Sequence, residues 1–405
     1  MTAGLTPTSA APEPAPARPL IGRANSSAFF KGQLKNILGA PSQVGEKLVV
    51  EDGRTIRITA TKYSIPPSDS VAVPLATYGD KGLLATLIQT GKASELLEPG
   101  AANYVSDLAI FEFIGTMDQL MVPYIKSHAY HRALDSVTDP RVVEIGFSMP
   151  QMLDLQDLRR HEDLWRFEEK WGIEVILQTN DAFRRHKRLA VFDMDSTLIQ
   201  QEVVDEIARF VGKEAEVSAI TARAMNGEID FSESLRQRVA LLKGVPATVF
   251  EELKSVITFT PGARELCKAL KMLGYKMAVL SGGFIPLANY VKEELGLDYA
   301  YANQLVVSAD GKELTGELTG EIVHAERKEL LLQQIAAENG VPLQQTIAIG
   351  DGANDLKMMH RAGLGVAFNA KAIVQAEAPC RMNSNTLKDV LYLLGLTREE
   401  QAQLC

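Results

Sequence analysis

Four short runs of unbroken apolar residues constrain this chain more than any other feature: Leu189-Ala-Val-Phe192, Met277-Ala-Val-Leu280, Ile347-Ala-Ile349 and Leu364-Gly-Val-Ala-Phe368. A strand with one solvated face alternates apolar and polar residues, so uninterrupted apolar strands must be covered on both faces. Helical segments separate the runs, and strands alternating with helices form a parallel sheet. The second half of the chain therefore reads as an α/β domain with a doubly covered parallel sheet. In such sheets ligands bind beyond the carboxyl ends of the strands. The chemistry is to be sought in the turns that follow them.

The first run exits into Asp193-Met-Asp-Ser-Thr197. In an exit turn one carboxylate can point at a substrate and the other over it; Asp and Ser also serve turns through local hydrogen bonds. The second run exits into Ser281-Gly-Gly283, a hydroxyl followed by backbone that a phosphate can approach closely, or an ordinary strand-to-helix turn. The third exits into Gly350-Asp-Gly-Ala-Asn-Asp355, an acidic cluster that repels itself unless a cation sits there. Oxygen ligands of this kind suit Mg²⁺. Lys328 opens the helical run Lys328–Ala336, at the end where the helix dipole disfavours a cation. Jointly these elements supply what phosphoryl transfer needs: a nucleophilic carboxylate, a second carboxylate, phosphate donors, a lysine and a metal site.

The set DxDx[ST], strand-end Ser, Lys and GDGxND resembles the haloacid-dehalogenase-like (HAD) phosphohydrolases. Within them, Asp193–Glu202, Leu280–Phe284 and Ile349–Asp355 are similar to the phosphoserine phosphatase family. The resemblance spans residues 187 to about 396. It implies a HAD-like Rossmannoid sheet with a helical cap, and Mg²⁺-dependent hydrolysis of O-phospho-L-serine, the last step of serine biosynthesis. It implies that Asp193 attacks phosphorus to form an aspartyl-phosphate and that Asp195 acts as acid, then base. Mg²⁺ is expected on the Asp193 carboxylate, the Asp195 backbone carbonyl and Asp351. Lys328, Ser281 and the Gly282 amide would hold phosphate oxygens. Asn354 would help bind substrate, and Asp355 would support Lys328 or the metal shell. By the same resemblance Glu202 pairs with the substrate ammonium, Arg238 binds its carboxylate and Phe231 shields the closed site. Two other readings stay open: a phosphatase or phosphotransferase for another small phosphomonoester, and a catalytically silent amino-acid-binding regulator.

Residues 203–260 read as the cap, with amphipathic helices over Val203–Val211, Lys213–Met225, Asp230–Leu242 and Thr248–Val256. Asn303–His324, with Ala309-Asp-Gly-Lys312 at its centre, reads as a β-hairpin flap without catalytic residues.

The first half is less informative. Residues 1–20 hold five prolines and five alanines, so residues 1–45 read as a flexible segment. Its four basic residues against the single acid Glu13 leave a transit peptide as the alternative. Residues 46–186 read as an α+β region. Strands are expected at Leu108–Ile114, Val142–Phe147 and Ile173–Gln178, with a helix over residues 154–171. Val142–Gln178 fits the closing βαβ of an ACT-like, ferredoxin-like unit, a type that can bind amino acids and pair between subunits, which suggests a homodimer through this region. His128 and His131 read as surface helix residues rather than a metal pair. Arg184–Arg188 reads as a solvated basic linker.

Composition sets outer bounds. No apolar run approaches the ~18 residues needed to cross a bilayer. A net charge of −9 disfavours nucleic acid as a partner. Cys267, Cys380 and Cys405 are too widely spaced for a zinc site or disulfide framework, which fits a reducing, cytoplasmic compartment.

Overall fold

A computed structural model describes residues 48–51, 57–60, 82–90, 104–121, 128–147, 155–181, 183–225 and 228–405. The flexible segment expected over residues 1–45 lies outside the described residues.

Two sheets organise the chain. The first contains β1 (Leu48–Glu51), β2 (Arg57–Ala60), β3 (Gly82–Gln89), β4 (His128–Ala133), β5 (Val142–Phe147) and β6 (Ile173–Asn180), in the order β1-β2-β4-β5-β3-β6. From β3 onward, with helices Asp107–Met121 and Glu162–Trp171, the path is β-α-β-β-α-β. Every neighbouring pair among these four strands is antiparallel, the arrangement of a ferredoxin-like unit. Alternation along the strands divides the sheet cleanly. Leu87, Val143, Val175 and Leu177 face the two helices, packing with Phe113, Met117, Leu164 and Phe167. Their neighbours Ile88, Val142 and Ile176 point the other way and join the same core as Phe192. The open face of this sheet is thus covered by the second half of the chain.

Three expectations are corrected here. Leu108–Ile114 is not a strand but part of the helix Asp107–Met121. Ala109, Ile110, Phe113, Ile114 and Met117 are buried at helical spacing, and Ser106 Oγ accepts from Ala109 N at 3.2 Å as the helix begins. A seven-residue apolar window could not separate the two periods; the longer one does. His128 and His131 lie on β4, not on a helix. Burial pulls His131 down to about 4, so it is neutral, and its Nδ1 is buried without a partner. Arg184–Arg188 is solvated only in part: Arg185, His186 and Arg188 are exposed, but Arg184 and Lys187 are each 7% exposed. Arg184 pairs with Glu144 and donates to Leu393 O, while Lys187 donates to Gln344 O at 2.6 Å.

The second sheet contains β7 (Leu189–Phe192), β8 (Lys276–Phe284), β9 (Tyr299–Val307), β10 (Leu314–Thr319), β11 (Thr346–Gly350), β12 (Leu364–Phe368) and β13 (Arg381–Met382). Its order is β10-β9-β8-β7-β11-β12-β13, parallel throughout except for β10. All four apolar runs are strands of this sheet. β7 is central, with β8 and β11 beside it, so the three expected turns open at one edge. The strand order reverses at β7, the crevice position for ligands in such sheets.

Between β7 and β8 the chain leaves the sheet to form helices Val203–Phe210, Glu214–Met225, Phe231–Ala240 and Val249–Val256. These agree with the expected cap helices to within two residues at each end. Ile207, Leu235, Val239, Val249 and Leu253 bury their apolar stripes in one shared core. The two stems of this excursion are tied together: Gln200 N donates to Thr258 O at 2.9 Å and Thr260 N to Leu198 O at 3.0 Å. The expected flap is the hairpin β9–β10.

Candidate active site

The first turn is built around an uncommon backbone path. Ile199 N reaches back to Met194 O at 3.0 Å, closing a wide turn in which Ser196 is left-handed at φ 54°. This path buries Met194 in the core and leaves the aspartates on either side facing the crevice. Asp193 is anchored by Asp193 N donating to Ile349 O at 2.8 Å, and its Oδ1 accepts from Met194 N at 2.7 Å.

Lys328, in the first turn of the helix Ala325–Glu338, has no exposed surface. Its ammonium lies 2.8 Å from Asp193 Oδ1 and 2.7 Å from Asp355 Oδ1. Burial alone would lower its pKa, but the two carboxylates outweigh burial and raise it, so it stays charged. Asp355 is also fully buried and accepts from Gly352 N at 3.0 Å through its other oxygen. A Cβ at Gly350 would stand 2.4 Å from the Asp355 carboxyl, so only glycine permits this approach.

Asp195 is set differently. Its Oδ1 is buried without a hydrogen-bond partner. Burial first, then the charges of Glu202 and Asp193, push its carboxyl well above the usual carboxylate range. It is a carboxyl poised to carry a proton. Gly283 presses against it: a Cβ there would lie 3.2 Å from Asp195 Oδ2 and 3.0 Å from Ser281 Oγ. Ser281 is fully buried, and its Oγ accepts from Gly283 N at 2.8 Å, leaving its own proton to donate.

The acidic cluster expected for a metal is present. Asp193, Asp351 and Asp355 each offer a carboxylate oxygen, all within 4.8 Å of one another. The group differs from the expected set of Asp193, the Asp195 backbone carbonyl and Asp351 in containing the carboxylate of Asp355. Asp351 Oδ1 is 3.2 Å from Thr197 Oγ1. Burial, then Asp193 and Glu202, raise the Asp351 carboxyl to about 7. A hard divalent cation fits this donor set, since it relieves the repulsion that lifts Asp351.

The cap supplies the outer wall. A side chain on Gly282 would meet the Phe231 ring at 3.2 Å and Asn354 Nδ2 at 3.9 Å, so these three groups converge. Glu202 stands exposed at the mouth and accepts from Ser196 Oγ at 2.7 Å. Desolvation and the charges of Asp193 and Asp205 lift its carboxyl; the Ser196 bond opposes them. Arg238 has a guanidinium with no carboxylate at ion-pair distance among the described residues. Its Nε donates to Ser234 O at 3.4 Å. Desolvation lowers its pKa against the opposing pull of Asp205, Glu202 and Asp195. The crevice therefore joins a floor bearing the Lys328 ammonium and the Ser281 hydroxyl to a mouth bearing the Glu202 carboxylate and the Arg238 guanidinium.

One supporting residue was not foreseen. Asn303, on β9, donates to Gly282 O at 2.8 Å and accepts from Val323 N at 2.9 Å. It ties the Ser281–Gly283 turn to the segment leading into the Lys328 helix. Nothing in its sequence surroundings distinguishes it from other strand residues.

A family model for haloacid dehalogenase-like hydrolases matches residues 187–363. The chain is 53% identical over 223 residues to a probable phosphoserine phosphatase of Schizosaccharomyces pombe, covering 55% of this chain and 75% of that one. Among solved structures it is similar to a probable phosphoserine phosphatase from Vibrio cholerae in unliganded form. That match has 30% identity and a TM-score of 0.55, over 80% of this chain and 90% of that one. A HAD family hydrolase from Salmonella enterica serovar Typhi matches at 28% identity and a TM-score of 0.61, over 77% and 98% of the two chains.

Proposed function

Because the chain belongs to the phosphoserine phosphatase family of the haloacid dehalogenase-like hydrolases, we propose that it hydrolyses O-phospho-L-serine to L-serine and phosphate. The observation that carries this reading is the pairing of two unlike aspartates in one turn. Asp193 is ion-paired to the buried Lys328 ammonium at 2.8 Å, while Asp195 is kept in a setting that favours its proton.

In the first step an Asp193 carboxylate oxygen attacks phosphorus, and the bond from phosphorus to the serine oxygen breaks. Asp195 gives its proton to that oxygen as it leaves. In the second step Asp195, now a carboxylate, takes a proton from water. The resulting hydroxide oxygen bonds to phosphorus, and the Asp193 carboxylate is released with inorganic phosphate. Lys328, the Ser281 hydroxyl and the Gly282 amide hold the remaining phosphate oxygens, and Asn354 adds a donor on the same side. Bound at Asp193, Asp351 and the Asp195 carbonyl, Mg²⁺ would neutralise the repulsion between carboxylate and phosphate.

At the mouth, Glu202 pairs with the substrate ammonium and Arg238 with its carboxylate, a match for a guanidinium fork. Phe231 closes over the ester and keeps water out until the second step. The catalytic unit is read as residues 187–405 with the cap at 203–260, and residues 46–186 as an ACT-like unit. A homodimer through that unit would use its helices or sheet edge, because its open sheet face is already covered. A cytoplasmic place at the end of serine synthesis suits this chemistry. No helix among the described residues is long and apolar enough to cross a membrane.

The test is phosphate release from a panel of phosphomonoesters. O-phospho-L-serine should stand among the best substrates by kcat/KM. A better rate on esters lacking the ammonium or carboxylate would overturn the substrate assignment.

A further inference from the structure

The C-terminal segment 381–400 is held at several points by residues of the first half of the chain. The last carbonyls of the single-turn helix Val390–Leu393 receive side chains from the first half of the chain as well as the backbone N–H groups that follow them. Arg184 donates to Leu393 O at 3.1 Å and to Tyr392 O at 3.4 Å. Gln178 donates to Leu393 O at 3.3 Å, and Arg132 to Gly395 O at 3.3 Å. Cations at a helix C-terminus are the favourable sign for its dipole. Ahead of that helix, Arg141 grips Asp389 with two parallel bonds of 2.8 and 2.9 Å. Asp389 is 3% exposed and also accepts from Ser384 Oγ.

The other side of the same segment touches the cap stem. Leu387, two residues before Asp389, donates its N–H to Pro261 O at 2.7 Å. A Cβ on Gly262 would stand 2.0 Å from Thr386 Oγ1 and 2.6 Å from Lys388 N, so the two backbones are in close contact. Immediately before Pro261, Thr260 N bonds Leu198 O. Leu198 is the last residue of the wide turn that carries Asp195. Three hydrogen-bonded steps thus join Arg141 to the turn: Arg141 to Asp389, Leu387 to Pro261, Thr260 to Leu198.

We propose that Arg141 and Asp389 are positioning residues for the phosphatase reaction, through which the first sheet fixes the cap stem and the turn bearing Asp195. The proposal rests on the phosphatase reading given above. The pair touches no substrate; it acts by holding segment 386–388 against Pro261 and Gly262. A bidentate Arg–carboxylate contact with one partner buried has the directional strength for this task.

The experiment compares Arg141→Gln and Asp389→Asn with Arg185→Gln in the full chain. Arg185 pairs with Glu400 at 2.6 Å and crosses the same junction, onto the helix Arg398–Leu404 rather than the segment that carries Asp389. Steady-state kinetics on O-phospho-L-serine and amide hydrogen exchange of peptides spanning 198–201 and 258–262 are read well below the melting transition. Arg141→Gln and Asp389→Asn should lower kcat by roughly 2–30-fold, the range for residues that act through a coupled network. KM should change less, and exchange at Gln200 and Thr260 should quicken. Arg185→Gln should leave both unchanged. Equal effects from all three variants, or normal stem exchange and kcat in Arg141→Gln, would overturn the proposal. Loss of the phosphatase reading is separately visible, since wild type would then release no phosphate from this substrate.

Discussion

Replacing Asp351 by Asn should stabilise the metal-free protein while destroying its activity. Asp351 carries a carboxyl raised from 3.8 to about 7 by burial and by its neighbours Asp193 and Glu202. The folded state therefore binds this proton more tightly than the unfolded state does. Stability from this group is full below pH ~4 and is lost as pH rises through about 7. At 1.36 kcal/mol per unit, the shift bounds the loss at ~4 kcal/mol; partial solvent contact brings the expected figure to ~1–4 kcal/mol. Asn carries no charge, and its Oδ1 can still accept from Thr197 Oγ1. In EDTA at pH 8, thermal unfolding of Asp351→Asn should come several degrees above wild type, and the gap should shrink at pH 5. Adding MgCl₂ at pH 8 should then raise wild type far more than the variant, since a ligand of the folded state stabilises only what binds it. A variant less stable than wild type in EDTA at pH 8, or equal stabilisation of both by MgCl₂, would refute the reasoning.

Other perturbations test other parts of the site. Lys328→Ala should lower kcat by about 10²–10³, the cost of losing one donor to a developing oxyanion; unchanged kcat would remove Lys328 from the chemistry. Arg238→Ala should damage phosphoserine use by orders of magnitude while sparing a generic aryl phosphate; equal losses on the two substrates would make its role structural. Glu144 sits between Arg132 and Arg184, whose charges overcome the effect of burial and hold it at about 2. Its folded value lies below the unfolded one, so its stabilisation is present above pH ~4.5 and lost as pH falls towards 2. Glu144→Gln should cost ~3–5 kcal/mol in denaturant unfolding at pH 7, because two buried guanidiniums lose their counter-charge; an unchanged midpoint would contradict this.

The site was legible in the sequence because its parts are local. Asp193, Asp195, Ser281, Asp351 and Asp355 each lie within a few residues of a strand that its apolar run reveals. Such a strand can end only at the crevice. The cap helices were legible for a similar reason, as Val203 and Ile207 in one helix and Leu235 and Val239 in another recur at helical spacing. Asn303 was not, since its value lies in two backbone partners about twenty residues away on either side. The basic run was misjudged because charge density alone cannot tell solvent from buried carbonyls. Arg184 is buried because Glu144 and the C-terminal end of the helix Val390–Leu393, both distant in sequence, come to meet it. Leu108–Ile114 failed for want of context: its apolar residues suit a strand until Met117 and the Ser106 cap are counted with them.

The central claim is that Asp193 is the nucleophile of a metal-dependent phosphoserine phosphatase. Phosphate release from O-phospho-L-serine, measured with MgCl₂ and with EDTA for wild type and Asp193→Asn, tests it most directly. The account predicts turnover by wild type with MgCl₂ and none by wild type in EDTA or by the variant under either condition. Turnover by Asp193→Asn at the wild-type rate, or none by wild type with MgCl₂, would contradict it.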